Sequence, residues 1–439
     1  MALFRHSSAR FASSVASIPK DKYKVVVVGG GSAGISISNQ IFDRFKAAGK
    51  SLQPHDIAVV DGAEFHHYQP GWTLVGAGLK DKTTLRRRLK DLIPPHIAHV
   101  PEHVKTFNPK SSSITINSGQ TISYDALVVA TGLQCNWSAI SGISEALADN
   151  SSGVSSIYSY ETCDKTWNDI DAFRGGKAIF TQPAGIIKCA GAPQKIMWMA
   201  WDRYRRTDRG DIANIEFRTG MPSMFSVKKY SDALNELRIS RGVRAEFQHN
   251  LVTVDGKRRV ATFKTADGST VDEQFDLLHV VPPMGPLDVV KSSPLADSAG
   301  WVAVDKSSLR HTNPEFGNVF ALGDCSSLPT SKTAAAITSQ APVLTENLFS
   351  VMDSGKVSSA QYDGYTSCPL LTGYGELMLA EFKYDLVPKE SFADMFGDQA
   401  KPRRIFYHLK KDFFPWVYYS GMVRGKWFGP NGVNRPTYA

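Results

Sequence analysis

A run of mostly β-branched residues, Tyr23-Lys24-Val25-Val26-Val27-Val28, passes directly into Gly29-Gly30-Gly31-Ser32-Ala33-Gly34, and that junction restricts the fold more than any other feature. Valine is crowded in a helix and packs well on a pleated surface, so the run predicts a buried strand. The glycines allow a tight turn and leave the first amides of a following helix open to an anionic group. Ile35, Ile37, Ile41, Phe42 and Phe45 supply the apolar positions of that helix. A second strand, Ile57-Ala58-Val59-Val60, ends at Asp61, whose carboxylate can accept from ribose hydroxyls. Strand, glycine turn, helix, strand and acid in this order describe a Rossmann-type βαβ unit that binds a dinucleotide.

Two distant segments belong with it. Residues 124–132 read as a strand ending in Ala130-Thr131-Gly132, and 318–324 as a strand ending in Gly323-Asp324, with a helix through Thr333–Ile337 after it. These turns converge on the first only if a second domain interrupts the first. A strand–helix–strand insert over 150–278 fits, and Pro282-Pro283 marks the return crossing. The expected architecture is α/β, with two Rossmann-like domains, the second inserted in the first. The first covers 21–149 and 279–345, the second 150–278, and a small C-terminal domain 346–439. Residues 251–275 read as a β-hairpin rim.

The second unit lacks its own fingerprint. Strand Lys177-Ala178-Ile179-Phe180 and a helix from about Gln194 are joined by a segment without G-x-G-x-x-G. That segment carries Cys189, with Lys188 and Lys195 nearby, just ahead of the helix N-terminus. Lysine charge and helix dipole both favour thiolate over thiol. A redox sulfur is expected where a nicotinamide nucleotide would otherwise sit.

Composition narrows the classes. Five cysteines in 439 residues exclude a disulfide scaffold, and none forms a CxxC or a metal-ligand spacing with histidine, so no metal is expected. The net charge of +8 is diffuse apart from Arg86-Arg87-Arg88 and Arg203-Tyr204-Arg205-Arg206, with no nucleic-acid motif beside it. Residues 1–20 contain Arg5, Arg10, Lys20 and five serines but no acid, the composition of a mitochondrial transit peptide. No run of about eighteen apolar residues is present to span a bilayer. Aromatic and basic residues crowd the C-terminus instead. Over Lys410–Pro430, Phe413, Phe414, Trp416 and Tyr418 are expected to enter the interfacial layer of a membrane, and Lys410, Lys411, Arg424 and Lys426 to meet its headgroups.

From Lys22 to about Trp427 the chain resembles the mitochondrial sulfide:quinone oxidoreductase family, flavoproteins with two dinucleotide-binding domains. The matching words are long: residues 65–78, 188–195, 329–336 and 362–369. The resemblance implies FAD, with Gly29, Gly31, Ser32, Ala33 and Gly34 at the pyrophosphate and Asp61 at the ribose, where the family usually has glutamate. It also implies FAD contacts from Gln69, Val104, Asp324 and Lys332, with Asp324 near the ribityl–pyrophosphate and Lys332 near the N1/C2 edge of the ring. Cys189 and Cys368 become the redox pair beside that ring.

The implied activity is oxidation of hydrogen sulfide. Sulfide attacks the cysteine bridge, Cys368 keeps the extra sulfur until glutathione or sulfite accepts it, and electrons pass to ubiquinone. Peripheral attachment to the inner mitochondrial membrane follows from the same resemblance. Cys135, Cys163 and Cys325 read as packing residues. A type II NADH:quinone oxidoreductase shares the architecture, but the missing second fingerprint argues against it. A flavin-stabilised signalling protein of the apoptosis-inducing-factor kind would not need the paired cysteines.

Overall fold

The computed structural model describes residues 19–50 and 52–438, so the expected targeting segment falls outside them apart from Pro19 and Lys20. Strand β1 (Lys22–Val28), helix α1 (Ser32–Ala47) and strand β2 (Ile57–Val60) form the βαβ unit at the start of the chain. Val25–Val28 pair in parallel with Ile57–Val60 on one side and with the C-terminal half of β3 (Thr121–Val129) on the other. Both faces of these strands are covered, which is why their sequences are continuous apolar runs rather than alternating ones. The chain leaves this seven-stranded sheet after β3 and rejoins it at Val319–Ala321, in parallel register with Leu127–Val129.

Between these points lies a second, all-parallel sheet of five strands. Its order is Val154–Ser155, Leu277–His279, β4 (Gly176–Gln182), β5 (Ala213–Thr219) and Arg244–Phe247. Helix α2 (Ala192–Arg206) crosses from β4 to β5. The rim expected as a hairpin is a three-stranded antiparallel meander, residues 250–255, 260–264 and 270–274. The extra reversal is built by Asp267, whose carboxylate accepts from Thr265 and Ser269, with Gly268 at positive φ.

Helix α3 (Ala334–Ser354) packs beside α1, and a hairpin of β6 (Thr366–Gly373) and β7 (Glu376–Phe382) follows. The C-terminal region divides its apolar side chains between two cores. Leu370, Leu371, Leu377 and Leu379 pack with α2, whereas Tyr418, Met422 and Val423 join the core of the first sheet. No helix among the described residues is long and apolar enough to cross a membrane.

Two residues expected at the lipid layer face inward instead. Lys410 is 3% exposed and Tyr418 2%, whereas Trp416 is 63% exposed. Phe406, Tyr407, Lys410, Val417, Tyr418, Gly421 and Met422 are all buried, and their helical spacing puts them on one inward stripe. Tyr418 ties the C-terminal segment to the glycine turn: its hydroxyl lies 2.6 Å from Ser32 Oγ and 2.6 Å from His66 Nε2. His66 Nδ1 is 2.9 Å from the Gly30 carbonyl, which can only accept. Nδ1 therefore carries the proton, Nε2 accepts from Tyr418, and the Tyr418 oxygen accepts from Ser32. Burial pushes the His66 pKa down to about 4, so this neutral tautomer persists at physiological pH.

Tyr418→Phe removes the middle of this chain and leaves a buried ring nitrogen without its donor. It is expected to destabilise the protein by about 1–3 kcal/mol, read from the denaturant midpoint at unchanged slope. A lipid-facing Tyr418 would tolerate phenylalanine without loss.

Candidate functional site

The three turns found in the sequence meet at one edge of the first sheet. Gly29 has φ +107°, and a Cβ there would lie 2.4 Å from the Ala130 carbonyl oxygen of the Ala-Thr-Gly turn. A Cβ on Gly34 would lie 1.7 Å from Gly29 O, so α1 leaves the sheet along a path open only to glycine. A Cβ on Gly323 would sit 3.2 Å from that of Ala33, which brings the Gly323-Asp324 turn against the same helix start. Gly31 caps α1 with no side-chain acceptor, and a Cβ there meets nothing within 4 Å. The first amides of a sixteen-residue helix thus face open space, with Ser32 and Ala33 in the first turn.

Asp61 stands at the tip of β2, accepting from Gly30 N at 2.6 Å and Ala63 N at 2.8 Å. Thr131 Oγ1 is buried without a partner at the neighbouring turn. A glycine cradle, an uncapped helix, a carboxylate and an orphaned hydroxyl fit a dinucleotide. Val104 begins an edge strand of this sheet, next to His103, whose ring would lie 2.8 Å from a Cβ on Gly62. It therefore sits near Asp61, at the far end of the groove from the cysteines.

The fold joins this groove to the two cysteines. Cys189 lies in the β4–α2 connection at φ +55°, a left-handed conformation that costs a non-glycine residue about 1–2 kcal/mol. Its amide donates to the Lys332 carbonyl at 2.8 Å, and its carbonyl accepts from Ala192 N at 2.8 Å. Cys368 is fully buried on β6, 179 residues away in sequence, and the two sulfurs are 3.3 Å apart. A Cβ on Gly191 would fall 3.1 Å from Cys368 Sγ and 2.1 Å from Leu370 Cδ2, so this glycine lets the hairpin approach. The sulfurs are in hydrogen-bond contact, a short step from the ~2.05 Å of a disulfide.

Lys195, 2% exposed on the first turns of α2, donates to Cys189 Sγ at 3.0 Å. The sulfurs are held unequally. The Cys368 thiol and the Lys195 and Lys410 amines hold Cys189 well below the ordinary cysteine pKa, although burial opposes them. Cys368, donor to the Cys189 thiolate and buried, is pushed well above it. Burial pulls Lys195 down, but the two cysteines raise it further, so the amine stays charged. When both sulfurs are reduced, the site therefore favours a Cys189 thiolate, a Cys368 thiol and a Lys195 ammonium.

Of the two lysines singled out beside Cys189, only Lys195 touches the sulfur. Lys188 Nζ donates to Gln69 Oε1 at 2.8 Å, which places Gln69 at the same mouth. Lys332 is buried, and its amine donates to Ser326 O at 2.5 Å and lies 4.8 Å from the Trp301 ring centre. Its main link to the sulfurs is its carbonyl on Cys189. Burial pulls the Lys332 pKa down while Asp324 opposes, and burial raises the Asp324 carboxyl against the pull of Lys332 and Lys188. Lys410 is the residue the sequence reading missed. Its amine donates to the Pro70 carbonyl at 2.7 Å, one residue from Gln69.

The site of the missing second fingerprint is closed. Asn250 Oδ1 accepts from Ala184 N at 2.7 Å, and even a Cβ on Gly220 would collide with Asn250 and Ala184. Of the other cysteines, Cys135 lies beside Lys188, and the buried Tyr158 faces it together with Cys189 and Cys368. Cys163 and Cys325 are fully buried, and burial raises their thiols. Cys135 is half-buried opposite Met284, its thiol also raised by burial.

Comparison with known proteins matches residues 23–341 to the family described as pyridine nucleotide-disulphide oxidoreductase. The mitochondrial sulfide:quinone oxidoreductase of Schizosaccharomyces pombe is 51% identical over 98% of this chain and 96% of its own length. That of Mus musculus is 42% identical over 94% of this chain and 88% of its own length. Among solved structures, the sulfide:quinone oxidoreductase of Aquifex aeolicus superposes with a TM-score of 0.71 at 15% identity, covering 91% of this chain and 92% of that one. The NDH2 of Plasmodium falciparum reaches 0.62 at 12% identity, covering 95% and 99%. These two likenesses concern the fold.

The Lys195 contact generates a direct test on reduced protein. A thiol with a lowered pKa stays ionised into the acid range, so wild-type Cys189 should alkylate readily at pH 6. Lys195→Met should raise its pKa and slow iodoacetamide labelling there about tenfold. An unchanged labelling profile would show that the lysine does not hold the thiolate.

Proposed function

We propose, for a chain that belongs to the pyridine nucleotide-disulphide oxidoreductase family and within it to the mitochondrial sulfide:quinone oxidoreductases, that the Cys189–Cys368 pair is its sulfur-exchange centre. The chain is an oxidoreductase that takes electrons from sulfide and gives them to a quinone. The observation that carries the finer reading is the unequal sulfur pair, one thiolate beside a buried ammonium and one high-pKa thiol, next to the dinucleotide groove.

Residues 21–149 and 279–345 form the domain that holds FAD. Gly29, Gly31, Ser32, Ala33 and Gly34 receive the pyrophosphate, Asp61 the ribose, and Val104 lies beyond it. Gln69, Asp324 and Lys332 stand toward the sulfur end. FAD bound there supplies two-electron acceptance from sulfur and delivery to ubiquinone. The protein's own part is the exchange. With the pair oxidised, hydrosulfide attacks Cys368 Sγ, the S–S bond breaks, and its electron pair stays on Cys189. Departure of Cys189 is favoured because a thiol of lower pKa leaves faster, and Lys195 stabilises the charge as it forms. Cys368, left as a persulfide, passes its outer sulfur to a small acceptor such as glutathione or sulfite.

The quinone is confined to a bilayer, so we place the protein peripherally on the inner mitochondrial membrane. Exposed Trp416, half-buried Phe413 and Phe414, and exposed Arg424 and Lys426 support contact through the C-terminal segment, now without Lys410 and Tyr418 and with Lys411 half-buried against Asp412. The NADH reading finds no support at the second slot, where Asn250 occupies the amide a pyrophosphate would need.

Cys189→Ser and Cys368→Ser should each slow anaerobic sulfide-dependent flavin bleaching by on the order of 10³-fold while flavin stays bound. Stoichiometric NADH should leave the wild-type flavin oxidised. Near-normal turnover in either variant would remove that cysteine from the exchange, and rapid bleaching by NADH would replace this function with the NADH-dependent one.

A further inference from the structure

Tyr418 joins the C-terminal segment to the glycine turn that opens α1. The family model matches residues 23–341, so this tyrosine lies outside the shared dinucleotide-binding framework. It is 2% exposed, and its hydroxyl bridges Ser32 Oγ and His66 Nε2, each at 2.6 Å. His66 Nδ1 in turn donates to the Gly30 carbonyl at 2.9 Å. Both ends of the bridge therefore grip the backbone where the flavin pyrophosphate is expected.

Proton order within the bridge limits what Ser32 can offer. Because Nδ1 donates to Gly30, Nε2 accepts from Tyr418 and Tyr418 accepts from Ser32. A serine hydroxyl has one proton, and here it is committed to Tyr418. A phosphate oxygen at this turn is left with backbone N–H donors, and those of Gly31 and Ser32 have no acceptor among the described residues. Gly30 aims the first of these. In a planar trans peptide the C=O and N–H point opposite ways, so a Gly30 carbonyl held by His66 turns the Gly31 N–H away from His66. Asp61 holds Gly30 N at 2.6 Å on the other side of the same residue. Glycine has the freest backbone of any residue, so these amides stay preorganised only under such external restraint.

We propose that Tyr418 is a positioning residue of the flavin site, which through His66 and Ser32 holds the Gly31 and Ser32 amides in place for the pyrophosphate. The inference rests on the flavin placement proposed above. The segment that carries Tyr418 is itself anchored along α1. Asn39, two turns beyond Ser32, donates to the Val423 carbonyl at 2.9 Å, and a Cβ on Gly425 would lie 2.9 Å from Asn39 Cβ. Tyr68 packs on the Tyr418 ring with centres 4.6 Å apart. A packed partner delivers the hydroxyl, so the cost of ordering it falls on folding and not on flavin binding.

The test measures release of FAD from the folded holoenzyme, followed by the fluorescence of the free flavin. Tyr418→Phe keeps the ring and removes the hydroxyl, and should release FAD about tenfold faster. Ser32→Ala cuts one arm of the bridge and should speed release about fivefold. The combined variant should stay within about threefold of Tyr418→Phe, because that arm is already broken. A tyrosine that only packs the fold would leave release unchanged in Tyr418→Phe, and that result would overturn the proposal. A Ser32 hydroxyl that bonds the pyrophosphate directly would speed release in Ser32→Ala alone, or make the two effects multiply, and either pattern overturns it as well. The flavin reading fails separately, if wild-type protein neither carries FAD nor takes it up when it is added.

Discussion

The contact between the buried Lys195 ammonium and the half-buried Cys189 sulfur, 3.0 Å apart, organises the rest of the site. Either charge alone at that depth would be unstable, and removing one partner of a buried pair commonly costs about 3–5 kcal/mol. Together they fix which sulfur is the anion. Cys368 then has only the donor role open to it, since its thiol can bond the thiolate but cannot compete for the lysine. Two residues of the same type, 3.3 Å apart, thereby acquire different chemistry.

Several distant segments must converge for that contact to exist, and each is held by a constraint visible in the backbone. Cys189 is turned into a left-handed conformation and pinned to the carbonyl of Lys332, just ahead of α3. Gly191 leaves the volume into which Leu370 and Cys368 advance from the hairpin. The C-terminal segment closes the arrangement twice, through Lys410 on Pro70 and through Tyr418 on His66 and Ser32. The segment that offers Trp416 to the outside is thus bonded on its inner side to the turn that opens the dinucleotide groove. A displacement of one is felt by the other through hydrogen bonds rather than through flexible chain.

The sequence made the architecture legible because its strands are buried on both faces and its glycines have steric reasons. Val25–Val28, the Gly29–Gly34 turn and the strand before Gly323-Asp324 could be read as one α/β unit, with the return of Val319–Ala321 to the first sheet accounting for their separation. The nearness of Cys189 and Cys368 was reached only through a family resemblance, since no local pattern links β6 to the β4–α2 loop. Lys410 and Tyr418 were misread for a physical reason. Charge and aromaticity suggested a lipid surface, but helical spacing from Phe406 and Tyr407 already placed both on the inward stripe. Composition outweighed periodicity where periodicity was the better guide. The third strand of the rim escaped for a different reason: Thr270–Gln274 is largely exposed and carries too little apolar pattern to announce itself.

The claim on which the account turns is that the two sulfurs divide their labour, with Cys189 released as the stabilised thiolate and Cys368 carrying the transferred sulfur. Mass spectrometry of the holoenzyme, quenched with an alkylating agent after one equivalent of sulfide and without acceptor, tests it most directly. The account predicts one additional sulfur atom on the peptide containing Cys368 and a singly alkylated, unmodified Cys189. An additional sulfur on Cys189, or on neither cysteine, would contradict it.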